Sequence, residues 1–245
     1  MTPSSLHETA PEHVRAPVGL RWDIWRAWVL ANLVAEVFGL GLVGVLFLSG
    51  LESRIGVVPA AVLVVICGAV WEGGIVGSLQ WMVLRRALPA LQWRAWAIAT
   101  AIGAGVAWAL GMVPSVVMSF VPDQSSAGAG QGFDMAGSVM LLLAAAMGIA
   151  LGSILSAAQW PVLRKHVPRA GWWIPANAGA WAAGMTLIFA GVGFIPDTGI
   201  MTPAVIGTLI ACLVLAGAMV GVIHGFALIW LLRERDRAGF VSHAA

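Results

Sequence analysis

The chain has 245 residues, of which 60% are hydrophobic and only 10% charged, with a formal net charge of +2. Soluble domains carry about a quarter charged residues. That composition and a mean hydropathy of +0.92 therefore exclude an ordinary soluble domain and point to a membrane protein. Thirty Gly suit helices packed closely in lipid, and thirteen Trp with no Tyr leave Trp alone to supply interfacial rings.

In chain order, residues 1–20 read as a polar, mobile cytosolic tail with no apolar signal-peptide core, so no cleaved leader is expected. Six apolar runs follow, each long enough to cross a bilayer: about 27–49, 57–84, 95–118, 136–163, 173–194 and 204–232. In hydrocarbon the backbone has no water to bond, so runs of this length are helices. A short loop, Gly50–Arg54, joins the first two. The segments 119–135 and Pro196-Asp197-Thr198-Gly199 read as flexible outward loops, and 234–245 as a second cytosolic tail.

Basic residues mark one side. Twelve of the thirteen Lys and Arg flank the same ends of the spans (Arg15, Arg21, Arg26; Arg85, Arg86, Arg94; Arg164, Lys165, Arg169; Arg233, Arg235, Arg237), and only Arg54 lies on the other side. The positive-inside rule then puts both termini in the cytoplasm of a bacterial inner membrane.

Internal repetition organises the chain. Gly73-Gly74-Ile75-Val76-Gly77-Ser78-Leu79-Gln80-Trp81 closes the second span and runs on to Leu84-Arg85. Gly152 to Arg164, with Ser156, Gln159 and Trp160, repeats it. Gly221 to Arg233 is a looser third copy with Leu228-Ile229 in place of Gln-Trp. Odd spans open alike: Trp25–Asn32 and Trp93–Thr100 share five of eight positions, and Trp173-Ile174-Pro175-Ala176-Asn177 matches in outline. The unit is a helical hairpin used three times, about 21–84, 85–163 and 164–233. Each unit crosses twice, so the copies are parallel rather than inverted. The expected fold is all-α, a six-transmembrane-helix bundle of three hairpins with pseudo-threefold character.

These segments resemble those of bacterial polytopic membrane proteins that carry recurring Gly-x-x-x-Gly-x-x-Gln-Trp-x-x-Leu-Arg and Trp-x-x-Ala-Asn-x-x-Gly stretches. The likeness spans about 25–235, with Gln80, Trp81, Gln159, Trp160, Ala176 and Asn177 in matching places. It implies topology and no activity.

Five polar residues recur one to two turns inside the basic end: Asn32, Gln80, Thr100, Gln159 and Asn177. They read either as hydrogen-bonding glue between helices or as a polar ring at the mouth of a pathway or a lipid-headgroup site. Trp22, Trp25, Trp28, Trp81, Trp93, Trp96, Trp160, Trp172 and Trp173 read as an aromatic belt. Trp71, Trp108 and Trp181, set deeper, read as core or as cavity lining. The stripes Gly73/Gly77, Gly148/Gly152/Ser156 and Gly217/Gly221/Gly225 read as packing faces within the bundle, or as a homodimer seam. Cys67 and Cys212 read as core residues.

Three ionisable residues break the repeat. Glu36 stands where Ala104 and Trp181 stand in the other odd spans, Glu72 where Leu151 and Val220 stand, and His224 where Val76 and Leu155 stand. A charge in mid-membrane costs about 2.5–3.5 kcal/mol on insertion scales, so such residues point to function. A ring of hairpins would set the sixth span beside the first and bring His224 towards Glu36. The trio reads as a proton or ligand site, or as a buried polar cluster that fixes helix order. No metal or cofactor is expected, and a lone intramembrane His argues against bis-His haem.

No phosphate-cradling loop, His-Glu-x-x-His or nucleophile elbow occurs, so an enzyme is not expected, and one acting on lipid ranks last. The leading reading is a scaffold, assembly or accessory subunit contacting lipid and a membrane-protein partner or a second copy, with no nucleic acid. The alternative is a small proton-coupled transporter using Glu36, Glu72 and His224.

Overall fold

The computed structural model describes residues 18–120, 136–196 and 200–239. The tail before residue 18, the loop residues 121–135 and 197–199, and the tail from 240 lie outside them. Among the described residues there is no strand. The described residues form α1 (Val18–Leu48), α2 (Leu51–Ile55), α3 (Val57–Cys67), α4 (Gly73–Ala87), α5 (Trp93–Ser119), α6 (Ala136–Leu163), α7 (Trp173–Val192) and α8 (Pro203–Arg237), with turns between them.

Five helical segments are long and apolar enough to cross a membrane: Arg21–Leu46, Val57–Ala87, Trp93–Val113, Gly137–Leu163 and Pro203–Arg237. The chain thus has the character of a multi-pass membrane protein in a lipid bilayer. The run expected at 173–194 forms α7, a 20-residue helix that is not among the five. Pro175, Asn177 and Thr186 dilute its apolar character.

Two local features depart from expectation. The expected loop after the first span contains a single helical turn, α2, bracketed by Gly50 at φ 65° and Gly56 at φ 90°. Those left-handed turns are open to glycine without strain. The second span is not uniform: α3 passes through a π-helical turn, Gly68–Glu72, before continuing as α4. A π-turn inserts extra backbone into the helix and re-aims the side chains it carries, here Glu72.

The long helices close a ring. Taking α3, the π-turn and α4 as one rod, α1 packs on α4, α4 on α5, α5 on α6, α6 on α7, α7 on α8 and α8 back on α1. The expectation that the last helix borders the first is met. What allows the close approach is glycine. A Cβ on Gly148 would fall 2.2 Å from the Trp181 carbonyl oxygen, and one on Gly152 would fall 2.5 Å from that of Asn177. Gly73 meets the Ala101 backbone, while Gly217 and Gly221 meet the backbones of Leu33 and Val29. The three glycine faces are thus covered within the chain, and none is left as a homodimer seam.

The main hydrophobic cluster sits at the Arg-rich end, built from Ile24, Trp28, Leu84, Leu88, Trp96, Leu163, Trp173 and Leu228 with their neighbours. The segments beyond the spans are tied down there. Helix α8 runs on to Arg237, past the expected start of a tail at 234, because its charged end finds partners. Arg235 Nη1 donates to the Ala87 carbonyl at 2.7 Å, Arg237 pairs with Glu234 at 2.8 Å, and Asp236 pairs with Arg21 of α1. His166 lies in the turn after α6. Burial, then the nearby Arg235 and Lys165, hold its imidazole below the usual value of 6.5.

Two expectations follow. Gly152→Ala should lower the melting temperature in detergent, since overpacking of this kind costs roughly 1–3 kcal/mol. Gly74→Ala, whose Cβ would meet nothing within 4 Å, should leave it unchanged. Second, His166 protonates less readily folded than unfolded. Its contribution is therefore present above the unfolded value of 6.5 and is lost as pH falls below it towards the lower folded value. Melting curves between pH 7.5 and 5 should decline for the native chain and flatten in His166→Gln.

Candidate functional site: a buried amide layer and a carboxyl pair

All five recurrent polar residues are buried inside the ring. On the odd helices each turns back on its own helix. Asn32 Nδ2 donates to the Trp28 carbonyl at 2.8 Å, Thr100 Oγ1 to that of Trp96 at 2.9 Å, and Asn177 Nδ2 to that of Trp173 at 2.8 Å. The even helices supply the cross-links. Gln80 Nε2 donates to Asn32 Oδ1 at 2.9 Å. Gln159 Nε2 donates to Thr100 Oγ1 at 3.0 Å and to Gln80 Oε1 at 3.2 Å, while Gln159 Oε1 accepts from Trp173 Nε1 at 2.8 Å. One connected network therefore joins α1, α4, α5, α6 and α7. Asn177 stands partly outside it, because its Oδ1 has no partner.

The indoles divide into two groups. Trp22, Trp93 and Trp172 are exposed, at 48, 47 and 61%, as an interfacial belt requires. Trp81 and Trp160 sit under Arg85 and Arg164, whose guanidinium carbons lie 4.9 and 4.7 Å from the ring centroids. Trp28, Trp96 and Trp173 are not belt residues. They are buried at 0, 0 and 1% and meet inside the ring, with centroids 5.9 Å (Trp28–Trp173) and 6.5 Å (Trp96–Trp173) apart. Each lies four residues before a polar-layer residue, so the helical repeat aims it at the axis. That spacing was the available sequence signal. Of the deeper indoles, Trp71 faces outward in an open groove with Phe38, Gly74 and Ile75 and donates to the Phe38 carbonyl. Trp181 packs on Gly148 and Gly152.

The three ionisable residues do not form one cluster. Glu36 lies on α1 against Gly217 of α8, where a glycine Cβ would stand 3.0 Å from the Glu36 Cβ. Glu72, on the π-turn, lies against Gly39 of α1, one turn from Glu36. Through Gly39 the Glu72 side chain thus borders the turn of α1 that follows Glu36. Trp108 Nε1 of α5 donates to Glu72 Oε2 at 2.8 Å, a partner the sequence did not suggest, and Glu36 Oε2 has none. His224 lies elsewhere. Its ring is 5.3 Å from that of Trp173, and neither of its nitrogens has a partner. Seven residues along α8 separate it from Gly217, the residue against Glu36, or about 10 Å.

The packing seams explain where His224 sits. Between α4 and α5, Gly73 lies on Ala101 and Ala104, and Gly77 lies on Ala97 and Thr100. Between α8 and α1, Gly217 lies on Leu33 and Glu36, and Gly221 lies on Val29 and Asn32. Relative to the partner helix, Gly217 and Gly221 thus occupy the places of Gly73 and Gly77. His224 follows Gly221 by three residues as Gln80 follows Gly77. At this seam its counterpart is Gln80, not Val76. The sequence alignment anchored on Leu232-Arg233 is out by one helical turn here.

Among the described residues, no three His, Cys, Asp or Glu side chains gather as a metal site would need. Cys67 and Cys212 are free thiols. Comparison with protein-family models, with curated proteins and with solved structures finds no match.

Gln159 is the most connected side chain of the layer. Gln159→Leu should lower stability by roughly 2–3 kcal/mol, because three membrane hydrogen bonds go and the Trp173 indole N–H is left unpaired. Thr100→Val, which removes one acceptor, should cost less than half of that. Reversible unfolding in mixed micelles measures both.

Proposed function

We propose that this chain is a multi-pass protein of the bacterial cytoplasmic membrane that serves as a scaffold or accessory subunit. In this reading it has six spans, α7 supplying the fifth, and both termini are cytoplasmic because the Lys and Arg residues crowd one end. The bundle is three parallel hairpins about a pseudo-threefold axis. Supporting that symmetry are the three equivalent side-chain to backbone bonds of Asn32, Thr100 and Asn177. So is the closed ring of packing.

The observation that carries the functional reading is the filled axis. Three indoles and a hydrogen-bonded amide layer occupy the middle of the ring at its Arg-rich end. A carrier needs an open route to one side at a time. These groups instead hold neighbouring helices together. What the chain offers to others is its outer surface: exposed Trp and Arg at one rim, and apolar side chains facing lipid along the spans.

One observation favours a second reading, proton-coupled transport. Glu36 and Glu72 sit side by side between α1 and the π-turn, and a carboxyl pair there can take up and release a proton. Native mass spectrometry from mild detergent, with pH-gradient flux measured on the same preparation in liposomes, separates the two. The expected result is a companion polypeptide, or a second copy, at fixed stoichiometry, and flux no greater than in empty vesicles. A monodisperse monomer with flux abolished by Glu36→Gln or Glu72→Gln would replace the scaffold reading with the second.

A further inference from the structure

At the corner where α1, α7 and α8 meet, hydrogen-bonding atoms are buried without partners. Trp28 Nε1 on α1, Asn177 Oδ1 on α7 and both ring nitrogens of His224 on α8 belong to side chains that are at most 1% exposed. A buried unpaired donor or acceptor is costly in hydrocarbon. The indole nitrogens of Trp25, Trp96 and Trp181 are also buried without partners; this corner differs in joining an indole, an amide oxygen and an imidazole around the Trp173 ring, and that grouping has a cause of its own.

The cause lies in the layer itself. Gln159 reaches in two directions: its N–H group donates to Thr100 of the preceding helix, and its carbonyl accepts from the Trp173 indole of the following helix. Its counterpart on α8 would donate to Asn177 Oδ1 and accept from Trp28 Nε1. Those are two of the unpartnered atoms. The residue at that level is His224, whose neutral ring carries one donor and one acceptor. The imidazole has the right chemistry but neither nitrogen reaches a partner directly. Its ring instead lies against the Trp173 indole, and the Trp173 ring lies against Trp28.

We propose that this corner binds one water-sized hydrogen-bonding ligand, water itself, held between Trp28 Nε1, Asn177 Oδ1 and a nitrogen of His224. Water accepts from the indole and donates to the amide oxygen and the imidazole. That makes three bonds, the usual number for a buried water. The site stands whether the chain is a scaffold or a carrier, since it rests only on these three side chains. It also gives the repeat-breaking His224 a role distinct from the carboxyl pair: it is a positioning residue for the ligand that completes the third arm of the amide layer.

A structure of the full-length chain in nanodiscs at about 2 Å is the direct test. Density for one water within hydrogen-bond distance of all three groups is the expected result. Direct bonds from His224 to Asn177 and Trp28 with no density between them would overturn the proposal, as would an apolar contact there. Two variants supply an independent readout. His224→Gln places at this level the carboxamide that Gln159 uses, and should melt within about 2 °C of the native chain or above it. His224→Leu removes one arm and should melt roughly 4–10 °C lower. Equal melting of the native chain and His224→Leu would count against a ligand at this corner.

Discussion

The carboxamide of Gln159 uses both of its N–H donors and its carbonyl oxygen inside the bundle. It bonds Thr100, Gln80 and Trp173 at 3.0, 3.2 and 2.8 Å and so links helices α4, α5, α6 and α7 through one side chain. Lipid supplies no hydrophobic force between helices, since acyl chains are as apolar as leucine. Close van der Waals contact and polar bonds must do that work instead. The two are coupled here. The amides can bridge only because Gly73, Gly77, Gly148 and Gly152 bring neighbouring backbones near enough. The glycine seams in turn have one preferred register because the amides must meet.

Much of this was legible in the chain. Hydropathy and charge placement mark the helices and their polar ends, and the recurrence of Asn32, Gln80, Thr100, Gln159 and Asn177 at one depth singles out the residues that the hydrogen bonds involve. The small-residue stripes mark the faces on which neighbouring helices pack. The Trp residues were harder, because composition treats every indole near a membrane boundary alike. Only the four-residue offset from each polar-layer residue distinguishes buried Trp28, Trp96 and Trp173 from exposed Trp22, Trp93 and Trp172. The π-turn left no trace, since Gly68–Glu72 has no proline or polar run to announce it. Nor did the pairing of Trp108 with Glu72, which depends on two helices meeting.

The misplacement of His224 has a specific physical origin. Gly217, Gly221 and Gly225 stand at successive four-residue steps, so a Gly-x-x-x-Gly face can be laid on its neighbour in two registers one turn apart. Leu232-Arg233 favours one of them by sequence. Packing against α1 takes the other, because there Gly217 receives Leu33 and Glu36 and Gly221 receives Val29 and Asn32. A glycine repeat is degenerate in register. The bulky and polar groups on the facing helix break the degeneracy, and no single-chain periodicity contains them.

The same register separates two kinds of buried polarity that the sequence presented as one trio. Glu36 lies on α1, and Glu72 lies on the π-turn against Gly39 of α1, where it accepts from the Trp108 indole. His224 lies at the layer itself, against Trp173. A site that moved protons between all three would have to bridge two turns of helix past the Gly217 and Gly221 contacts, where backbones touch and leave no room for a side chain. The imidazole answers to the hydrogen-bonding demands of Asn177 and Trp28, and that makes its role architectural first, set by the same amide geometry that holds the ring closed.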